Sequence, residues 1–439
     1  MDKKQFILKI REQYLGIKDM PRESLFSLVQ KLADELYAKE THFIFELIQN
    51  AEDNEYEGDC SQPSLEFAVR DISLEEGRIQ SLVVTNNEKG FKEEHVKAIC
   101  QAGQSSKKNC VGYIGEKGIG FKSVFRVTDC PNIFSNGFQF ALPKEDPESE
   151  LGYIVPKWVP VIPPEISTET TNIVLPLNSA DFEPSKVIQS LKDISPETIL
   201  FLKKLKVLKV VISTKDCSHL KIEKDDREFP LVKLNYSERC GAKNKHEEEL
   251  YWLVRKEFEK PPNVNSEKRK LEENSLVSVA MPLNQIDYSG KLFAFLPVWE
   301  KTGIPFLING DFLLVSSREE VKQDEPWNLW LMNNIPEVFV DAFISGLQSE
   351  NLSFDLKKNL YASIPLLSHQ PFLEPLVKGI QEKLHSFPCV FSSDGKTLCE
   401  PAKVRTASKK FRELFEKDVL TNFLQGGISL VHSELEEFS

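Results

Sequence analysis

The sequence predicts an α+β chain with three parts: helices over a mixed β-sheet in residues 1–180, a second α/β domain in 181–330 and a mostly helical region in 331–439. Three observations carry this reading. Phe43, Ile44, Leu47, Ile48 and Ala51 recur at helical spacing and form one apolar stripe. Leu65, Phe67 and Val69 alternate as a half-buried strand does, and residues 82–85 supply a partner across a turn at Glu76 and Gly77. A glycine-dense stretch at 112–123 then runs into Val124, Phe125, Arg126 and Val127.

Taken in order, residues 21–38 read as a helix with a proline in its first turn and a stripe at Leu25, Leu28, Val29, Leu32 and Leu36. The 43–54 stretch follows, and beside its stripe Glu46, Asn50 and Asp53 line up. A carboxylate and a carboxamide one turn apart at the edge of an apolar face can hold a hard cation and a water, although an ordinary amphipathic helix would read the same way. The strand at 82–85 leads into the polar turn Asn86-Asn87-Glu88-Lys89-Gly90-Phe91. Residues 100–111 are polar and poor in apolar side chains, which suits a surface loop or a moving lid; Ser106, Lys107 and Lys108 lie in it.

In the glycine-dense stretch, Gly115, Gly118 and Gly120 let backbone approach an anion, and a helix beginning near Phe121 would present free N–H groups. The spacing misses the P-loop, because the lysine after Gly120 comes one place late, and it misses the dinucleotide fingerprint, because Ser123 stands where a third glycine belongs. Beyond it, Phe134, Phe138, Phe140 and Leu142 read as strand, 143–169 as a proline- and acid-rich insert, and 170–177 as a further strand containing Thr171.

In the second part, strands are expected at 199–212, 278–283, 291–297 and 306–315, while the charged region 214–274 reads as a hairpin or mobile loop. The basic run Lys268-Arg269-Lys270, set among glutamates, reads as a solvated patch. Helical stretches are expected at 335–349 and 371–385.

Composition bounds the class. With 439 residues, 41% hydrophobic and 28% charged, the chain is an ordinary globular one of two or three domains. A net charge of −12 argues against coating nucleic acid, which needs clustered Lys and Arg. No apolar run suits a signal peptide or the roughly 18 residues of a membrane span, so an intracellular protein, cytoplasmic or nuclear, is expected. The eight cysteines include no Cys-x-x-Cys pair; Cys217, His219, Cys240 and His246 are the nearest approach to a zinc set.

Three boxes in this order, Glu-Leu-Ile-Gln-Asn-Ala-Glu-Asp-Asn at 46–54, Asn-Asn-Glu-Lys-Gly-Phe at 86–91 and Gly-Tyr-Ile-Gly-Glu-Lys-Gly-Ile-Gly-Phe-Lys-Ser at 112–123, resemble the GHKL ATPase superfamily of gyrase, the heat-shock chaperone, histidine kinases and mismatch-repair ATPases. Their wording is similar to that of NO VEIN-like and sacsin-like proteins. The resemblance implies a Bergerat α/β sandwich at 1–180 and a second domain like the chaperone middle domain. It implies ATP and Mg²⁺ as cofactors, with Glu46 acting on the attacking water and Asn50 holding the metal. Asp53, Asn54, Asn86, Gly90, Ser106, Lys107, Gly115, Gly118, Ile119, Gly120, Phe121 and Thr171 would surround the nucleotide, Thr171 beside the adenine. Arg318, in a stretch resembling the chaperone's catalytic loop, would reach the terminal phosphate. Partners implied are a protein client and a second copy in an ATP-dependent dimer, with no membrane. One departure is that most members carry aspartate where this chain has Asn86, and glycines near Glu88 and Lys89. Asparagine accepts a hydrogen bond from the adenine amino group without the charge-assisted part, which predicts weakened affinity. Two functions stay open: a slow Mg²⁺-dependent ATPase working as a chaperone-like switch, and an interaction module that binds nucleotide, or keeps the fold, without turnover.

Overall fold

The computed structural model describes every residue except 1, 18–23, 25–26, 28–42, 59, 61, 102–119, 149–150, 179–182, 214–216, 265, 267–268, 270–271, 286, 300–301, 316–319, 369, 408–427 and 439. The chain forms two compact units, one of Met1–Lys224 with Leu234–Glu248, the other of Asp225–Lys233 with Glu249–Ser439.

In the first unit an N-terminal helix, Lys3–Leu15, turns Phe6, Ile7 and Ile10 inward, and the Phe6 ring lies 5.9 Å from that of Phe138. Most of the helix expected at 21–38 falls outside the described residues. The helix over the first box is Phe43–Asp53, and all five stripe residues are buried as their spacing requires. Strand β1 (Ser64–Leu74) and β2 (Gly77–Asn86) form a hairpin turning through Glu75 and Glu76, with Gly77 at φ +118 where a side chain would be strained. β3 (Asn132–Ser135), β4 (Phe138–Ala141), β5 (Lys157–Trp158), β6 (Thr171–Pro176), β7 (Val207–Ile212) and β8 (Ser218–Asp225) complete the order β8-β7-β1-β2-β6-β3-β4-β5. β7 runs parallel to β1 while the other pairs are antiparallel, so the sheet is mixed and residues 207–212 belong to it.

The register sorts side chains onto two faces. Leu65, Phe67 and Val69 share one face with Asn86, Val84 and Leu82 of β2, with Thr171 of β6, and with Leu208, Val210 and Ile212 of β7. The Phe43–Asp53 helix lies on this face, as a side-chain bond between Asn54, just past its end, and Asn86 shows. The opposite face carries a smaller core of Ala68, Ile72, Val83, Phe134, Ile166 and Val174.

The described residues of 214–274 are mainly strand, with β8, β9 (Leu231–Cys240) and β10 (Lys243–Glu259) in succession and Gly241 at φ +58 between the last two. A hairpin was one of the two expectations, and high charge is compatible with it because outward strand positions stay solvated. In the second unit β10 pairs with β11 (Asn274–Pro282), followed by β14 (Leu307–Asn309), β12 (Leu292–Ala294) and β13 (Leu296–Trp299). Helices Pro326–Gln348, Phe354–Tyr361 and Glu374–Leu384 pack there around an apolar core that includes Trp327, Leu331, Ile335, Phe339, Phe343 and Ile380. The first of these begins nine residues before the expected 335, at Pro326 in the first turn where a missing N–H costs nothing. It continues through Pro336, whose ring faces Gly379 of the third helix, where a Cβ would lie only 3.0 Å from it.

Arg269 corrects the reading of its basic run. It is buried, and its Nε and Nη2 each donate to Asp311 at 2.7 Å, a bidentate pair that holds the start of the 310–321 stretch. Asn328, fully buried, accepts from Leu313 N–H and donates to the carbonyls of Leu313 and Lys322. The stem on both sides of 316–319 is thereby clamped. Arg318 itself lies outside the described residues.

Candidate functional site

The polar residues of the first unit gather at one end of the helix-bearing face of the sheet. Glu46 is buried at 4% exposure on the first turn of the Phe43–Asp53 helix, where a carboxylate meets the positive end of the dipole. Against it stands Gly120, which opens the short 3₁₀ helix Gly120–Arg126; a Cβ there would collide with Glu46 Oε2. Any side chain at 120 would displace the Glu46 carboxylate from its present place. Asn50, one turn on from Glu46, is half-buried, and Asp53 is buried. Phe121 is half-buried in the 3₁₀ turn.

Lys122, in the same glycine box, turns into the protein and donates to the carbonyls of Ile99 (2.6 Å) and Tyr153 (2.7 Å). Burial pulls its pKa down to about 8. It anchors the turn to neighbouring backbone. Ser123 Oγ donates to the Gly120 carbonyl at 2.6 Å and closes the turn from within.

Asn86 ends β2 with its carboxamide engaged on both sides. Its Nδ2 donates to the Ser64 carbonyl and to Tyr56 Oη, each at 2.9 Å, and its Oδ1 accepts from Asn54 Nδ2 at 3.0 Å. Because a carbonyl only accepts, the Ser64 bond fixes which way the amide points. Tyr56 passes its own proton to the Ala51 carbonyl at 2.8 Å, and burial holds its hydroxyl well above the ordinary tyrosine range. These five residues tie the end of the helix to the end of the strand.

Next to them Glu88 is buried at 7% exposure and accepts from Thr171 Oγ1 at 2.6 Å. Ser135 Oγ lies 2.5 Å from Thr171 Oγ1 and accepts from Phe91 N–H at 2.8 Å. Thr171 has one proton, and it goes to Glu88, so Ser135 donates to Thr171 and the line runs Phe91, Ser135, Thr171, Glu88. Gly90 sits at φ +88, and a Cβ there would lie 2.7 Å from that of Asn136, so the turn admits only glycine.

Of the residues singled out in the sequence, Glu46, Asn50, Asp53, Asn54, Asn86, Gly90, Gly120, Phe121 and Thr171 are described, and direct contacts join Glu46 to Gly120 and Asn54 to Asn86. Ser106, Lys107, Gly115, Gly118 and Ile119 lie outside the described residues. Sequence reasoning missed Glu52, whose carboxylate accepts from the backbone N–H of Lys203, Lys204 and Leu205 at 2.6–3.1 Å and so fastens the helix to the turn before β7. It also missed Tyr56 and Ser135, and it noted Glu88 only as a departure. Partners so far apart along the chain leave no local spacing to read. A cleft of ≈ 400 Å³ bordered by Cys60, Gln62, Ser64, Asn87, Val207, Lys209 and Lys221 lies beside Asn87. Among the described residues no group of three or more His, Cys, Asp or Glu could hold a metal ion, and no helix is long and apolar enough to cross a membrane.

Residues 22–151 match the family described as Sacsin domain. The chain is similar to Protein NO VEIN of Arabidopsis thaliana, 34% identical over 432 residues that cover 91% of this chain and 15% of that protein. It is also similar to human sacsin, 26% identical over 476 residues, covering 82% of this chain and 10% of sacsin. The chain therefore spans well under a fifth of either relative. Among solved structures, the B-subunit of the DNA gyrase from Myxococcus xanthus aligns at a TM-score of 0.34 and 10% identity, over 74% of this chain and 93% of that one, a likeness that carries no argument below.

Proposed function

We propose that the first unit binds ATP with Mg²⁺ and hydrolyses it slowly, working as a conformational switch within a chaperone-like protein. The observation that carries this reading is the buried carboxylate of Glu46 held against Gly120 at the mouth of a glycine-dense segment. Burying a carboxylate has a cost, and the glycine opposite lets backbone approach this one closely. Glu46 would orient the attacking water and take its proton, a general-base effect of about 10²–10⁴-fold. The donor set fits Mg²⁺ better than a metal caged by protein: one carboxamide, Asn50, stands a turn from one carboxylate, so the nucleotide's phosphates would supply further ligands. Bound there, the ion would neutralise phosphate charge.

A ligand that binds only the folded chain stabilises it by about 2.7 kcal/mol at a hundred times its Kd. ATP with Mg²⁺ should therefore raise the melting temperature, and Glu46→Ala should keep that shift while losing turnover; a melt unmoved by millimolar ATP would sink the reading. The alternative, a binding module without turnover, is favoured by Asn86, whose carboxamide is committed to Asn54, Tyr56 and Ser64. Equal turnover in wild type and Glu46→Ala would select it.

A further inference from the structure

We propose that the cleft beside Asn87 is a second binding site of the first unit, one that takes a small phosphate monoester, with Lys209 and Lys221 holding the phosphate group. Its size, ≈ 400 Å³, suits a small organic molecule. Lys209 on β7 and Lys221 on β8 are direct partners in the ladder, so both side chains leave the same face of the sheet. That face is turned away from the Phe43–Asp53 helix, because Leu208 and Val210 on either side of Lys209 lie on the helix-bearing face. The cleft is therefore separate from the site proposed for the nucleotide.

Among the described residues that border the cleft, two carry ammonium groups and none carries a carboxylate. Like charges directly opposite on a ladder repel, and an anion seated between them replaces that repulsion with attraction. Lys209 makes no ion pair among the described residues, although Glu66 is its neighbour in β1. Lys221 meets Glu223 at 2.7 Å, with 41% and 34% of the two side chains exposed; a pair so open to water is worth little, and the ammonium can turn to a ligand.

The wall selects the class of anion. The fork of an arginine matches a planar carboxylate, whereas lysine acts as a point charge and suits phosphate, whose monoester carries about 1.5–2 negative charges at neutral pH. Two lysines balance one such group. Gln62, Ser64 and Asn87 are polar and Val207 is aliphatic, so the body of the ligand is hydroxylated rather than apolar. The rim is set before any ligand arrives, since Asn87 Oδ1 accepts from Ser64 N–H at 2.7 Å while its Nδ2 donates to the Gln62 carbonyl at 3.0 Å and to Cys60 Sγ at 3.6 Å.

The test is calorimetric titration of the whole chain, without Mg²⁺, with ribose 5-phosphate and with ribose. Wild type should bind ribose 5-phosphate with a Kd of about 1 mM or below and ribose at least about 10-fold more weakly, the worth of bonds between charged groups. Lys209→Met should weaken ribose 5-phosphate by about the same factor, and Lys209→Arg, which keeps the charge, should weaken it less. Asn50→Ala, in the nucleotide site, and Lys243→Met, at an exposed position, should leave that affinity unchanged. Wild type that does not bind ribose 5-phosphate, or that binds sugar and sugar phosphate equally, overturns the proposal, and neither arm depends on a variant folding. Unchanged affinity in folded Lys209→Met overturns it too. A loss seen in Asn50→Ala and not in Lys209→Met would put the phosphate in the nucleotide site and overturn it as well.

Discussion

The helix Phe43–Asp53 in the first unit and the helix Pro326–Gln348 in the second both bury most of their length, but what they bury differs. The longer helix hides Trp327, Leu331, Ile335, Val338, Phe339 and Phe343, and its one buried polar side chain facing a loop, Asn328, bonds only to backbone. The shorter helix hides Glu46, Gln49, Glu52 and Asp53 among its apolar residues. Buried carboxylates are tolerated only where something is built to receive them. Glu52 is met by three backbone amides, whereas Glu46 stands against Gly120, whose missing side chain leaves room for the carboxylate. Burial alone therefore does not tell the two helices apart, whereas the kind of side chain that is buried does.

The largest effect should come from the packing helix. Phe339 is fully buried with its ring 4.8 Å from that of Phe306, and Phe339→Ala should cost about 3–5 kcal/mol by the loss of burial plus the cavity left behind. Urea denaturation measures it, and a loss under about 1 kcal/mol would mean that this core is not packed as described.

The contrast sharpens at Glu46 and Gly120. Gly120→Ala should destabilise by about 1–3 kcal/mol, as overpacking does, because the new methyl group meets the Glu46 carboxylate. In a Glu46→Ala background the same change should cost less than half as much, a non-additivity expected only of groups in contact. Additive losses in the double-mutant cycle would separate the two residues.

A third effect is spread over pH and is small at any one pH step. Lys122 titrates at about 8 in the folded chain against 10.5 ordinarily, so between those values the unfolded chain holds more protons and this residue's contribution to stability rises with pH. Below pH 8 both states are protonated and the contribution is flat. Lys122→Met should remove a slope of at most about 1.4 kcal/mol per pH unit across that window, measured from urea midpoints. Identical slopes in wild type and variant would show that Lys122 is not desolvated.

Local order was legible without the fold. The stripe Phe43, Ile44, Leu47, Ile48 and Ala51 and the alternation Leu65, Phe67, Val69 depend on repeats of 3.6 and 2 residues, which the chain writes within a dozen positions. Glycine at 90 and 120 was legible as a need for backbone freedom or close approach. The start of the Pro326–Gln348 helix was harder, because a proline at 336 suits the first turn of a helix starting at 335, and only the glycine it meets on a neighbouring helix shows how it fits the interior. Arg269 read as solvated because nothing local reveals Asp311, 42 positions on. What a buried polar group is for depends on what meets it. Thr171 meets Glu88 across 83 positions and Glu52 meets the 203–205 turn across more than 150, and such meetings arise from register and packing over the whole sheet. Hydrophobic periodicity is a property of neighbours in the chain, whereas the satisfaction of a buried charge is a property of neighbours in space.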